Sequence, residues 1–310
     1  MSEKRQDDAA LDAEVGGQWE DRAVADAAMG RAVAGIVELL QRQVGFDFSV
    51  YKSTALVRRI ERQMALRQIS SVGDFAGFLL AHPGEVEMLA TDLLIGVTEF
   101  FRDSEVFHHL EGTVLPELLG GRSPRADLRI WSAACASGEE AYSVAMLALE
   151  VAEQVGFTGS IKVFATDAQQ KVLDQAVRGR YGTEALAQVP PARLRRWFVS
   201  EGDGSWRVTP ELRRCVVFAR HNLLVDPPFT RIDLALCRNL LIYLRPEAQL
   251  LALSQLHFAL QPEGMLLLGS SEGVGRLEGE FEVVERTQRL YRRGKTGGHR
   301  PLPFPMPGPV

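Results

Sequence analysis

The 310-residue chain is poor in cysteine, and its three cysteines, Cys135, Cys215 and Cys237, lie far apart. An odd number without CxxC or Cys/His spacing argues against a disulfide framework or a zinc site. No run approaches the ~18 apolar residues that a membrane span requires. The opening stretch MSEKRQDDAALDAEVGGQWEDR has no apolar segment of the kind a secretory leader carries. An excess of positive charge is also missing. Lys and Arg number 35 against 40 Asp and Glu, for a formal net charge of −5. Global attraction to nucleic acid or an anionic membrane is thereby excluded, and any basic patch must be local. The expectation is a reducing, cytoplasmic setting, no nucleic-acid partner and no membrane insertion.

Between its ends the chain changes character near residue 112. Residues 1–28 are polar and acidic and read as a disordered tail. Residues 29–112 carry a helical pattern. From 113 to 294, short apolar runs alternate with helical stretches: DLRIWSA, IKVFAT, VVFARHNLL, IDLALCRN and GMLLLGSS. Continuous apolar strands alternating with helices predict an α/β domain with a doubly wound, mostly parallel sheet. In RRWFVSEGDGSWRVTPELRRCVVF, WFVS and WRVT flank a Gly-rich turn at 201–205, which predicts a small β insertion over about 190–218. The Pro/Gly-rich residues 295–310 read as a second disordered tail.

In such a sheet, ligands sit beyond the carboxyl ends of the strands, where the strand order reverses. The first strand, 128–133, opens into Ala134-Cys135-Ala136-Ser137-Gly138, small residues that let a ligand approach the backbone. The second ends at Asp167. A carboxylate there can accept from ribose hydroxyls, or it can cap the helix that starts near residue 168. GxGxxG is absent, and the turn carries Glu139 and Glu140 where a dinucleotide's phosphates would sit. Electrostatics disfavours NAD or FAD and suits a phosphate-free, cationic ribose ligand such as S-adenosylmethionine. The two glutamates can equally serve only the helix dipole.

The motifs VTEFFRD (97–103), WSAACASGEEAYSVAM (131–146), FATD (164–167), HNLL (221–224) and CRNLLIYL (237–244) resemble the CheR-type chemotaxis receptor glutamate O-methyltransferases. The resemblance runs from about 30 to 292 with the motifs in family order. It implies a Rossmann-like methyltransferase domain, an N-terminal all-α domain and a small inserted β subdomain. It implies S-adenosylmethionine as cofactor, with Thr98, Arg102, Glu139, Asp167, Asn222, Leu223, Arg238 and Asn239 around it and Tyr243 beside the reacting methyl. Many members carry Asn six residues before the arginine, where this chain has Gly96. Glu139 and Glu140 can exchange roles.

The acceptor that the resemblance implies is a glutamate on the cytoplasmic helices of methyl-accepting chemotaxis receptors, modified during sensory adaptation. The enzyme is expected to be a monomer recruited to receptor clusters. Glutamate has a reference pKa of about 4.3, so it is ionised at neutral pH and no base is needed. No Ser/His/Asp or Cys/His constellation stands out, and His108-His109 reads as helix surface. Arg102 and Tyr243 are the candidates for positioning the reactants. A local basic stripe suits an acidic partner: in YKSTALVRRIERQMALRQ (51–68), Leu56, Val57, Ile60 and Met64 share one helix face, and Arg58, Arg59 and Arg62 lie opposite. VDPPFT (225–230) imitates the DPPF signature of DNA amino-methylating enzymes, but it precedes the strand IDLALC and reads as an entry loop. A cofactor-binding scaffold without catalysis is a further alternative. Cys135 and Cys237 near the pocket read as small-residue packing.

Overall fold

A computed structural model describes residues 29–94, 98–120, 122–123 and 126–294. The tails expected over 1–28 and 295–310, and Gly96, lie outside the described residues. The chain divides into two compact units, Met1–Leu94 and Ile95–Val310.

In the first unit, helix α1 occupies 29–44 and buries Ile36 and Leu40, one turn apart. Helix α2, Ser53–Leu66, buries Leu56, Ile60 and Met64 at successive turns, while Val57 is only half-buried. Helix α3, Val72–Ala81, starts at Ser71, whose hydroxyl accepts the Asp74 N–H at 3.1 Å. Helix α4, Pro83–Leu94, opens on a proline, whose missing N–H costs nothing at a helix start. It buries Val86, Leu89, Ala90 and Leu93. Burying each large apolar side chain here contributes about 1.5–3 kcal/mol, and this apolar stripe decides the packing of the four helices.

The second unit begins with α5, Ser104–His109, which runs through a π-helical turn, Leu110–Val114, into α6, Leu115–Leu119. Val106, Leu110, Val114 and Leu118 share one core cluster with Leu147 and Val151. The compositional change near residue 112 therefore falls inside this unit. Strand β1, Leu128–Ala133, is followed by α7, Glu139–Gln154, and strand β2, Ile161–Asp167, by α8, Gln170–Arg178. Next come β3 (Arg180–Gly182), α9 (Pro191–Trp197), β4 (Phe198–Ser200), β5 (Ser205–Val208) and α10 (Pro210–Cys215). The chain continues through β6 (Val216–Arg220), β7 (Ile232–Cys237), α11 (Pro246–Ala259), β8 (Leu260–Leu268), β9 (Phe281–Glu285) and β10 (Leu290–Arg293).

The main sheet has seven strands in the order β6-β2-β1-β7-β8-β10-β9. The first five are parallel, with Trp131 opposite Phe164 and Ile130 opposite Leu234; β10 runs antiparallel to β8 and β9. From β1 the chain builds outward to β2 and β6, then returns to β7 and builds the other way. The order reverses between β1 and β7, and in sheets of this kind ligands bind beyond the carboxyl ends of such a strand pair. All five apolar runs named from sequence are strands of this sheet. A separate antiparallel sheet, β3-β5-β4, is inserted between β2 and β6. It contains the expected hairpin and also takes in Arg180–Gly182, ten residues before the expected start of the insertion.

Candidate functional site

The loop from β1 to α7 is built of small residues because its backbone is contorted. Ala134, Ala136 and Gly138 all have positive φ, at 57°, 48° and 95°. Gly138 is required for a second reason. A Cβ there would lie 2.9 Å from the Ala176 Cβ and 3.1 Å from the Phe218 ring, so close packing against α8 and β6 forbids a side chain. Phe101, Asp103 and Asn239 also have positive φ. Non-glycine residues in this region cost about 1 kcal/mol or more each, and they persist where surrounding contacts over-determine them.

Asp167 closes the turn that leads into the following helix, one of the two roles its position suggested. Its Oδ1 accepts the Gln169 N–H and its Oδ2 the Ala136 N–H, each at 3.0 Å. The first bond closes the turn into α8; the second ties the end of β2 to the loop after β1. Burial raises its carboxyl above the usual range, with the Gln169, Ala136 and Ala168 N–H groups pulling the other way. The carboxylate has about four lone-pair sites and three N–H partners, which leaves room for a ligand hydroxyl.

Glu139 and Glu140 have different surroundings. Glu140 Oε1 accepts the Ser132 hydroxyl at 2.8 Å, and its Oε2 lies 3.3 Å from Arg238. Arg238 is itself buried, pairs with Asp103 at 2.6 Å and donates to the Arg102 carbonyl at 3.0 Å. The Arg238 guanidinium thus clamps the Arg102–Asp103 turn to the start of α7. Glu139 is only 4% exposed and has no cationic partner among the described residues. The Ser137 hydroxyl donates to its carboxylate at 2.8–2.9 Å, and the Tyr181 hydroxyl in turn donates to the Ser137 carbonyl at 2.7 Å. Burial pushes Glu139 up to about 7, against the pull of the Ser137 bond. A buried carboxylate without a cation is stabilised by a cationic ligand.

On the adenine side of the expected site, Leu223 is buried and Asn222 half-buried. The Asn222 Oδ1 accepts the Leu224 N–H at 3.0 Å, and its own N–H donates to Asp226 at 2.7 Å. Asp226 of the DPPF stretch thereby closes a turn. Phe229 of the same stretch packs against Trp131 and Phe164, with ring centroids 5.1 and 5.2 Å away. Both are structural contacts, as befits an entry loop to β7. Thr98, Arg102 and Tyr243 are half-buried, Tyr243 in a 3₁₀ turn at Leu241–Tyr243. Cys135 and Cys237 are buried and their thiols raised well above the ordinary value, chiefly by burial, so neither is a reactive thiolate.

The sequence reading missed Asp103, Ser132, Ser137, Tyr181 and Glu272. Glu272 accepts the N–H groups of Gly269, Asn239 and Ile242 at 2.7, 3.0 and 3.2 Å. A signal for it exists: an acid just past β8 repeats the pattern of Asp167 at the end of β2.

A model described as the CheR methyltransferase SAM binding domain matches residues 96–290, and one described as the CheR methyltransferase all-alpha domain matches residues 32–94. The chain belongs to the CheR methyltransferase family. A CheR-type chain has S-adenosylmethionine as its cofactor and falls in the protein-glutamate O-methyltransferase class. The chain is similar to Chemotaxis protein methyltransferase 1 of Pseudomonas aeruginosa, 32% identical over 262 residues, covering 83% of this chain and 95% of that protein. It is 34% identical over 236 residues to the Chemotaxis protein methyltransferase of Listeria monocytogenes, covering 76% and 87%. A 104.1 kDa protein of Rhodobacter capsulatus, described as uncharacterized, is 40% identical over 266 residues, 86% of this chain but 28% of that protein. The residues present fit the CheR cofactor. The unpaired Glu139 suits a ligand ammonium, and Asp167 suits ribose hydroxyls.

Proposed function

We propose that this CheR-family chain transfers a methyl group from S-adenosylmethionine to glutamate carboxylates on the cytoplasmic helices of chemoreceptors, forming methyl esters in sensory adaptation. The observation that carries the reading is Glu139, a buried carboxylate with no cationic partner among the described residues, at the head of the helix that follows β1. In this reading Glu139 binds the ammonium of the cofactor and Asp167 its ribose. Asn222 and Leu223 line the adenine, Thr98 reaches over the cofactor, and Arg238 and Asn239 close the methionine end. Arg238 does so as a brace, because its guanidinium is engaged by Glu140 and Asp103.

When bound, S-adenosylmethionine supplies an electrophilic methyl group on a sulfonium. The chain's own task is to hold the acceptor oxygen in line and to exclude water between opposite charges. The acceptor is already ionised, so no side chain has to remove a proton. Arg102 and Tyr243 orient the reactants. Arg58 and Arg62, exposed on α2, meet the acidic receptor helix. Arg59 is half-buried and donates to the Asp92 carbonyl on α4, so it braces the helix as well as adding charge.

The test is transfer of tritiated methyl from S-adenosylmethionine to receptor cytoplasmic fragments. Base-labile label that disappears when the receptor glutamates become alanine is the expected result. Label on DNA, base-stable label, or cofactor binding without any transfer would each overturn the reading.

A further inference from the structure

Glu272 lies outside every motif discussed above, yet it is only 6% exposed and its carboxylate sits where three backbone N–H groups converge. Its Oε2 takes the Gly269 N–H at 2.7 Å and the Asn239 N–H at 3.0 Å, and its Oε1 takes the Ile242 N–H at 3.2 Å. Two of these donors belong to the segment that leaves β7. That segment has an unfavourable start, with Asn239 at φ 61°. Its carbonyl side is held separately: the Gln249 amide donates to Leu241 O at 2.8 Å and Leu244 O at 3.1 Å. The segment is therefore braced on both sides, by a carboxylate from beyond β8 and an amide from α11.

The packing leaves no slack. A Cβ on Gly269 would lie 2.7 Å from Glu272 Oε2 and 3.0 Å from the Asn239 nitrogen. Only glycine lets the end of β8 approach closely enough to share the carboxylate. The braced segment also adjoins the cofactor loop, because Arg238 reaches Glu140 at 3.3 Å.

We propose that Glu272 is a positioning residue for methyl transfer, holding residues 239–243 in the shape that presents Asn239 and Tyr243 to the donor. The proposal rests on the reading of the cofactor site given above. A carboxylate can accept all three N–H groups, whereas a glutamine must turn an NH₂ toward at least one of them. Aspartate keeps the charge but is a methylene short.

The experiment uses the full chain with Glu272→Gln and Glu272→Asp. It measures melting temperature, amide hydrogen exchange over 237–244 without ligand, and calorimetric affinity for S-adenosylhomocysteine. Expected are folded variants, faster exchange confined to 237–244, and affinity at least tenfold weaker, with no rescue by aspartate. Folded variants with affinity within twofold of the parent and unchanged exchange would overturn the proposal. So would variants that merely unfold, since Glu272 would then act only on stability. If the parent chain itself binds no S-adenosylhomocysteine, the site reading fails, and the exchange data still decide whether Glu272 holds the segment.

Discussion

At the scale of single residues, neighbours in sequence have opposite duties. Glu139 and Glu140 look equivalent in the chain, and both are acidic residues in the first turn of α7. Arg238, 98 positions away from Glu140, separates them by pairing with that one alone. The consequence is pH-dependent. Glu139 has its folded pKa raised from 4.5 to about 7. An acid raised in this way holds its proton more tightly when folded, so its contribution to stability is fully present below pH 4.5 and is lost as pH rises to 7. The loss from this residue approaches about 3 kcal/mol and levels off above pH 7. Ligand-free melting curves from pH 5 to 7.5 should show the decline, and Glu139→Gln should reduce it. Ligand affinity has the opposite sign, because a ligand ammonium prefers the ionised carboxylate. Calorimetry with S-adenosylhomocysteine at pH 7.5 and pH 6 should show binding up to roughly eightfold weaker at the lower pH. A flat profile in the parent chain would remove Glu139 from the ammonium site.

At the scale of elements, strong periodic signals predicted position, and special geometry did not. The apolar runs became β1, β2, β6, β7 and β8 because a strand covered on both faces must be apolar along its whole length. β9 escaped because FEVVE mixes charge into an antiparallel edge strand whose outer face is wet, and β10 because LYRR is short and half arginine although the strand is buried between β8 and β9. β3 escaped because three residues, RYG, carry no period at all. The hairpin of β4 and β5 was legible from its glycines. Gly202 and Gly204 both sit at φ 83° with open space around them. Gly204→Ala should therefore cost about 1 kcal/mol through backbone strain alone and lower the melting temperature by a few degrees. Affinity for S-adenosylhomocysteine should stay within twofold; a large loss would mean that the turn shapes the cofactor loop. On α2, Arg58→Glu with Arg62→Glu reverses the exposed charge without touching the buried stripe of Leu56, Ile60 and Met64. KM for receptor fragments should rise at least tenfold, with cofactor affinity unchanged. An unaltered KM would assign receptor docking to another surface.

At the scale of the whole molecule, an acidic protein is proposed to act on an acidic partner. The formal net charge of −5 opposes that encounter, so attraction must come from a local stripe over distances of about a Debye length. Raising salt from about 0.05 to 0.5 M shortens that length from roughly 14 to 4 Å and screens the stripe. KM for receptor fragments should then increase severalfold while kcat changes little. A falling KM would mean that net repulsion outweighs the stripe.

Composition and motif order alone determined the α/β class, the helical first part, the cofactor type and the positions of Asp167 and the two glutamates. These follow from local rules: the repeat of apolar residues, the charge at a helix start, the acid at a strand end. Tertiary structure alone decided which glutamate is left unpaired, that Arg238 is a brace, and that Glu272 serves the segment after β7. The Arg238–Glu140 pair depends on β1 and β7 lying side by side where the strand order reverses, and the Glu272 contacts on β8 lying beside β7.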